Sequence, residues 1–173
     1  MWFSLMNKLE DMQQYIKQLS NEELWLFYAN YQKELKLREL VRTNNIVWER
    51  WEFLTIETYN KNTSLPNLQA APEGTQNIDV ISRKWERYSI KTITEPWSTT
   101  WVFYGCWNLE DKQIPEKKFE YAVIVRIDKD FQLKDMIELN REQFLKFRKW
   151  HKTMRAWNLS LTKNLLQEAK KII

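Results

Sequence analysis

Residues 77–92, NIDVISRKWERYSIKT, contain two stretches of alternating apolar and polar residues on either side of Trp85. Alternation of this kind is typical of β-strands, so the segment predicts a hairpin with Trp85 in its turn. A three-residue loop, Arg83-Lys84-Trp85, requires a left-handed third residue, a position that glycine normally takes. The bulkiest side chain therefore stands where the smallest one is expected.

The length of this loop decides which side chains of the hairpin share a face. With three loop residues Ser82 pairs with Glu86, and Asp79 then stands opposite Ser89. Lys91 projects from the same face as Ser89, because side chains alternate along a strand. A two-residue loop would shift the register by one and send Asp79 to the other face. We therefore expect a carboxylate, a hydroxyl and an ammonium on one surface.

The chain contains ten tryptophans and only two glycines. Average usage would give about a dozen glycines in a chain of this length. We hypothesise that several tryptophans are glycines in the source organism, whose UGA codons were translated here as tryptophan. The best candidates are Trp48, Trp51, Trp85, Trp97, Trp101 and Trp107. A tryptophan-rich surface or ligand platform is the alternative, and the coding DNA separates the two.

Bulk properties restrict the class of protein. The 173 residues, 43% of them apolar, match one globular domain, which we place at 1–173. The chain has no apolar run of the ~18 residues that a membrane helix needs, and one cysteine and one histidine exclude a disulfide framework and a zinc site of N and S ligands. We expect a cytoplasmic protein, and the net charge of +4 favours an anionic partner.

The order of elements predicts an α+β fold with a mixed or antiparallel sheet flanked by helices. A helical hairpin is expected at 4–43, with a capping box from Ser20 to Glu23 and one buried stripe. The stripe residues are Leu24, Phe27, Tyr28, Tyr31 and Leu35. Further helices are predicted at 46–59, 141–154 and 163–172, and a loop at 60–75. Strands are predicted at 78–82, 87–94, 100–104, 119–127, 133–139 and 158–161.

The helix at 46–59 supplies acids for the same surface. Glu49 and Glu52 are three residues apart and therefore lie on one side of it. Phe53 and Ile56 are expected to face the sheet, so a carboxylate beside them should reach the hairpin.

A helix with an acid, a strand with aspartate, a hairpin and a strand ending in x-Lys resemble the PD-(D/E)XK nuclease superfamily, the restriction-endonuclease-like fold. The matching residues are Glu52 (or Glu49), Asp79 and Ser89-Ile90-Lys91, and the resemblance covers residues 46–127 as a core, with 128–173 outside it. It is closest to small uncharacterised bacterial members of the superfamily.

The resemblance implies Mg²⁺-dependent hydrolysis of DNA phosphodiesters. Glu52, Glu49 and Asp79 would hold the ion with Ser89 as an auxiliary ligand, and Lys91 would orient or deprotonate the attacking water. Ser89 departs from the pattern, since it replaces a second acid and removes one negative charge. The alternatives are a catalytically inactive nucleic-acid-binding or protein-interaction module of the same fold, and an ordinary cross-strand ion pair.

A basic stretch with interleaved aromatic residues, KFRKWHKTMR at 146–155, is the predicted DNA-binding surface. Its cations are Lys146, Arg148, Lys149, Lys152 and Arg155. The alternative is a solvated helix face. DNA is thus the expected partner, a membrane is not, and the helical hairpin is assigned to homodimer formation or substrate choice.

Overall fold

The structure, a computed structural model, describes residues 2–41, 46–72, 74–75, 77–106, 117–128 and 132–173. It divides into two compact units, residues 1–49 and residues 50–173. Helices α1 (Trp2–Gln18) and α2 (Asn21–Leu37) belong to the first unit, and α3 (Ile46–Lys61) begins in the first and continues in the second.

Helix α2 begins at the predicted capping box. The Glu23 N–H donates to the Ser20 hydroxyl at 3.3 Å, and the Ser20 N–H donates to the Glu23 carboxylate at 2.8 Å. The predicted burial of the α2 stripe is wrong, because four of its five members are 36–47% exposed. These are Leu24, Phe27, Tyr28 and Tyr31. Helical spacing shows that residues share a side of the helix, but it does not supply an element that covers that side.

The second unit is built on a mixed six-stranded sheet, which confirms the α+β class. Its strands are β1 (Leu68–Ala70), β2 (Val80–Ser82), β3 (Arg87–Thr94), β4 (Tyr121–Ile127), β5 (Leu133–Asn140) and β8 (Lys170–Lys171). They lie in the order β1-β2-β3-β4-β5-β8, in which β3 and β4 run parallel and all other neighbours antiparallel. The predicted bounds of β3 are thus confirmed, while β1 lies in what was expected to be a loop.

Each face of this sheet buries its own apolar cluster, since successive side chains of a strand point to opposite faces. We call one side the Tyr88 face. There Tyr88 and Ile90 pack with Trp51 and Tyr59 of α3. The other side, the Lys91 face, carries Ser89, Lys91 and Ile93. The cluster on it includes Ile93, Phe103, Phe119, Phe144, Trp157 and Leu165.

The C-terminal third differs from its predicted elements. The helix expected at 141–154 ends early, as α4 (Arg141–Phe147), and a hairpin of β6 (Arg148–His151) and β7 (Ala156–Leu159) follows. The Trp150 and Trp157 rings meet across this hairpin at 5.0 Å between centroids. Such a cross-strand aromatic pair stabilises strands and competes with continuation of the helix. The last helix, α5 (Lys163–Glu168), also ends early and is followed by β8.

In the segment expected as a strand at 100–104, Phe103 forms an isolated bridge to Trp157 of β7. Thr99, just before the segment, bridges Ser160, just after β7. The segment belongs to the connection between β3 and β4, which are parallel, so that the connection must cross one face of the sheet. Phe103 lies in the cluster of the Lys91 face. The described part of the crossover therefore packs on that face and does not add a strand to the sheet.

Candidate functional site

The β2–β3 hairpin has the predicted three-residue loop. Val80 pairs with Tyr88 and Ile81 with Arg87, and the Ser82 N–H donates to the Glu86 carbonyl at 2.8 Å. Trp85 has φ +66°. The left-handed third residue and the register that depends on it are both confirmed.

The buried side chain of Ser82 stabilises this turn through hydrogen bonds. Its side chain is 1% exposed, and its oxygen accepts the N–H groups of Lys84 at 3.2 Å and Glu86 at 3.1 Å. The hydroxyl donates to the Glu86 carboxylate at 2.9 Å. A buried hydroxyl with all of these partners stabilises the three-residue loop, and the length of that loop decides the face to which each β2 residue projects.

Asp79 and Ser89 meet as the register requires. The Asp79 Oδ2 accepts the Ile90 N–H at 2.5 Å and the Ser89 hydroxyl at 3.3 Å. Ser89 is fully buried. Among the described residues, the other carboxylate oxygen, Oδ1, accepts no hydrogen bond. The backbone N–H of Ile90 thus orients the carboxylate through one of its two oxygens.

Lys91 is partly buried on the same face, with its Nζ 5.2 Å from the centroid of the Phe103 ring. In the described part of the chain it forms no ion pair with Asp79 or with any other carboxylate. The ordinary cross-strand ion pair is therefore not what brings these residues to one surface.

The glutamates of α3 are not placed with Asp79, Ser89 and Lys91 as expected. Residues Trp51 and Tyr59 pack α3 on the Tyr88 face, which is the side of the sheet opposite to Ser89 and Lys91. Glu52 is a partly buried residue of that helix. Glu49, 8% exposed, falls in the first unit. The structure thus brings Asp79, Ser89 and Lys91 to one face and places the Glu52 helix over the other.

The expected orientation of α3 is half correct. Ile56 packs against the cluster of the Tyr88 face as predicted. The same expectation for Phe53 is wrong, because its side chain is 42% exposed. The buried stripe consists of Trp51, Thr55 and Tyr59, which recur every fourth residue. The rings of Trp51 and Tyr59 pack against the sheet.

The donor set determines which metal the Lys91 face suits. The described residues contain no group of three His, Cys, Asp or Glu side chains placed to hold an ion. Asp79 Oδ1 and the Ser89 hydroxyl remain as oxygen donors on this face. Mg²⁺ commonly binds proteins through one or two carboxylates and completes its shell with waters and substrate phosphates. A single carboxylate fits an ion of that kind, which the substrate helps to hold.

The basic stretch at 146–155 does not lie on one helix, so the helix expected at 141–154 is wrong here, while its role as a DNA-binding surface stays a prediction. Lys146, in α4, pairs with the Glu168 carboxylate at 2.6 Å, and the Arg148 guanidinium lies 4.1 Å from the centroid of Trp157. Lys149 is exposed on β6, and Lys152 and Arg155 are exposed in the turn that follows. The β6–β7 hairpin separates cations that a helix would have aligned.

Sequence reasoning missed a different group of cations. Lys118 and Arg141 line a depression together with Arg148 and Cys106. The only local signal is the Lys117-Lys118 pair that precedes the strongest strand of the sequence. Arg141 is 23 positions further on, so spacing gives no indication that it meets Lys118.

No model of a known protein family matches this chain, and no protein of curated function has a similar sequence. Among the described residues, no helix is both long enough and apolar enough to cross a membrane.

Proposed function

We propose that this protein acts on nucleic acid, binding phosphodiesters on the Lys91 face and hydrolysing them with the help of a divalent cation. One observation carries the proposal. Asp79, just before β2, and Ser89 and Lys91 of β3 project to a single face in the register that the hairpin loop dictates. Their order along the chain is that of the PD-(D/E)XK pattern.

The environment of Lys91 suits an anionic substrate. Its ammonium lies over the fully buried Phe103 ring, where a neighbouring anion is less screened than in bulk water. In this position Lys91 holds a phosphate oxygen or orients the water that attacks the phosphorus. The repulsion between a phosphodiester anion and an approaching oxygen nucleophile is thereby reduced.

Asp79 supplies the carboxylate. The Ile90 N–H fixes one of its oxygens, so that the direction of the other is set by the backbone and not by a free rotamer. Asp79 Oδ1, with the Ser89 hydroxyl beside it, would hold the divalent cation. When bound, such an ion lowers the pKa of water and neutralises charge on the phosphate.

A catalytically inactive nucleic-acid-binding protein of the same architecture is the second candidate. It is favoured by Ser89 in place of an acid and by the packing of α3 on the Tyr88 face. A site with a single carboxylate carries less negative charge and holds a cation more weakly. The same Lys91 would then contribute affinity without chemistry.

The test is cleavage of supercoiled, linear and single-stranded DNA by the intact protein, with Mg²⁺ or Mn²⁺ and with chelator. We expect metal-dependent strand breaks. Lys91→Met and Asp79→Asn should reduce the rate by about 100-fold or more while DNA affinity changes far less.

Lys84→Met is the matched control, because this lysine is exposed in the hairpin turn and its loss changes the net charge equally. It should cleave at the unaltered rate. Binding without cleavage of any DNA form, under every metal condition, would eliminate the nuclease and leave the binding protein. Absence of both would end the proposal.

A further inference from the structure

A cleft of about 340 Å³ opens where the parallel strands β3 and β4 end. Thr94, the last residue of β3, pairs with Ile127, the last residue of β4. Ligands commonly bind outside the carboxyl ends of parallel strands, and small-molecule sites measure about 300 Å³ or more. The lining residues that bear on its chemistry are Ile93, Glu95, Trp97, Arg126, Ile127 and Lys134. Position and size therefore make this cleft a candidate ligand site.

The turn that follows β3 carries an exposed aromatic ring into this cleft. The Trp97 N–H donates to the Thr94 carbonyl at 3.0 Å, and the Glu95 N–H donates to the Ile127 carbonyl at 3.0 Å. These two bonds hold the turn to the ends of both strands. The Trp97 side chain is 75% exposed and lines the cleft. It thus presents much of its ring to an aromatic ligand.

The backbone at Trp97 does not require glycine. Among the described tryptophans, Trp85 alone has a positive φ. Backbone strain therefore gives no reason to replace the indole at position 97 with glycine. Of the two readings of the tryptophan excess, the ligand platform is the one that this position fits.

The charged groups of the cleft balance one another. Lys134 forms an ion pair with Glu95, and the Arg126 Nε donates to the Asp135 carboxylate at 2.6 Å. The hydrogen bond with Asp135 raises the pKa of Arg126, and the charge of Glu95 acts in the same direction. Two cations are thus matched by two carboxylates. An anion gains little net attraction from such a site, whereas an uncharged polar ligand finds both donors and acceptors.

One of these two ion pairs is open to a ligand. The side chains of Lys134 and Glu95 are 52% and 46% exposed, and an ion pair so exposed contributes little stability. Either group can therefore turn toward a ligand at small cost, the carboxylate as an acceptor and the ammonium as a donor. The Arg126–Asp135 pair, at 30% and 17%, is more enclosed.

We infer that this cleft binds a nucleobase. A nucleobase is flat, aromatic and uncharged, and proteins recognise it by stacking on its ring and by hydrogen bonds to the donors and acceptors on its edge. The Trp97 indole supplies the stacking surface. Glu95 supplies an acceptor and Lys134 a donor. Ile93 and Ile127 add apolar contact.

The base has two sources, a free nucleoside and an unpaired base of a nucleic acid strand. Ile93 lines the cleft and follows Lys91 on the same face, about 7 Å along β3. A strand with a phosphodiester at Lys91 therefore has bases close to the cleft. Binding of a strand rests on the proposed function, whereas binding of a free nucleoside does not.

Saturation-transfer NMR of the intact protein with adenosine, guanosine, cytidine and uridine tests the cleft, with ribose as the ligand that lacks a base. We expect transfer to the base protons of at least one nucleoside and none to ribose. Trp97→Ala should weaken the affinity, measured by titration, about 5-fold or more, since the stacking surface is lost. Trp101→Ala is the matched control, because this tryptophan is 55% exposed and lies outside the cleft.

A second pair of variants tests the edge contacts. Glu95→Gln should also lower the affinity for the nucleoside, because it replaces the charged acceptor by a neutral amide. Glu57→Gln should leave the affinity unchanged, since Glu57 forms a comparable exposed ion pair with Lys61 outside the cleft. Because the ligand is uncharged, its affinity should change little with salt. Circular dichroism spectra establish that each variant is folded.

The strand is tested with a single-stranded oligonucleotide and an abasic oligonucleotide of the same length, which have equal backbone charge. The parent protein should bind the abasic form about 5-fold or more weakly, and Trp97→Ala should lose this preference. Nucleoside binding without the preference would support the cleft and count against the proposed function. No binding of any nucleoside together with equal affinity for both oligonucleotides would overturn the inference, as would equal effects of Trp97→Ala and Trp101→Ala.

Discussion

Trp85 occupies a backbone conformation that costs free energy for any residue with a Cβ atom. Its φ is +66°, and its side chain is 77% exposed, so that little packing offsets this strain. Trp97 and Trp101 are also exposed, whereas Trp51 is 1% exposed in the core. The hypothesis of recoded glycines thus gains a physical basis at Trp85 and none at Trp51. Trp107, and the side chain of Trp48, lie outside the described residues.

Replacing Trp85 with glycine should therefore stabilise the protein. We expect Trp85→Gly to raise the free energy of unfolding by roughly 1 kcal/mol, as left-handed strain is relieved at some cost in chain entropy. Trp51→Gly is the comparison, since removal of a buried indole typically costs about 3–5 kcal/mol. Urea denaturation of both variants measures this, and a less stable Trp85→Gly would refute the strain argument.

Residue positions were predictable where they depend on neighbours in sequence. The shared face of Asp79, Ser89 and Lys91 follows from one loop length, which the residues at 83–85 determine locally. Lys118 and Arg141 meet only because the crossover and α4 pack on the same face of the sheet. Their proximity is a tertiary property, and no spacing in the sequence encodes it.

At the scale of elements, α3 and β5 are joined by a buried polar contact. The Tyr59 hydroxyl donates to the Glu138 carboxylate at 2.6 Å, and Lys170 lies 3.2 Å from the same carboxylate. Burial raises the pKa of Tyr59, and the charge of Glu138 raises it further, so the phenol remains a donor. This contact, together with the T-shaped packing of Tyr59 on Tyr88, holds α3 to the Tyr88 face.

Removing the Tyr59 hydroxyl should weaken the contact between α3 and β5 and lower the free energy of unfolding. Tyr59→Phe keeps the ring but leaves a buried carboxylate oxygen without its donor, which costs about 1–3 kcal/mol. Tyr121→Phe is the matched control, because Tyr121 stacks on Tyr88 with a centroid distance of 4.8 Å and is only partly buried. Thermal or urea unfolding of the two variants should separate them, and equal stabilities would contradict a structural role for the hydroxyl.

The elements themselves were predicted unevenly. Strand β3 and the start of α2 came directly from alternation and a capping box, both of which are local signals. The helix expected at 141–154 ends at Phe147 because Trp150 and Trp157 pair across a hairpin. The strand expected at 100–104 became a crossover because β3 and β4 run parallel. Strand pairing decides both cases, and the sequence of one segment does not show which other segment pairs with it.

At the scale of the whole molecule, the two units differ in how well they bury their apolar residues. Residues 50–173 enclose a cluster on each face of the sheet, whereas residues of α1 and α2 such as Tyr15, Leu26 and Tyr31 stay exposed. The homodimer predicted from the sequence remains a prediction, and so does the assignment of the helices to dimerisation or substrate choice.

Among the described residues, some cations have carboxylate partners and others do not. Most ion pairs of the structure balance one cation with one carboxylate, while the net charge of the chain is +4. Lys91, Lys118 and Arg141 gather on the Lys91 face without such partners among the described residues. A polyanion that crosses this face would be held chiefly by phosphate contacts, and its affinity would fall steeply with salt.

The salt dependence of DNA affinity tests most directly whether Lys91 contacts a phosphate, because it counts phosphate contacts whether or not the bound strand is cut. Titrations of a labelled duplex and a single strand, without divalent cations, give the slope of log K against log salt. For the form that binds, Lys91→Gln should lower the magnitude of that slope by about 1, while Lys84→Gln leaves it unchanged. Identical slopes and affinities for the two variants, or no DNA binding at all, would contradict the account.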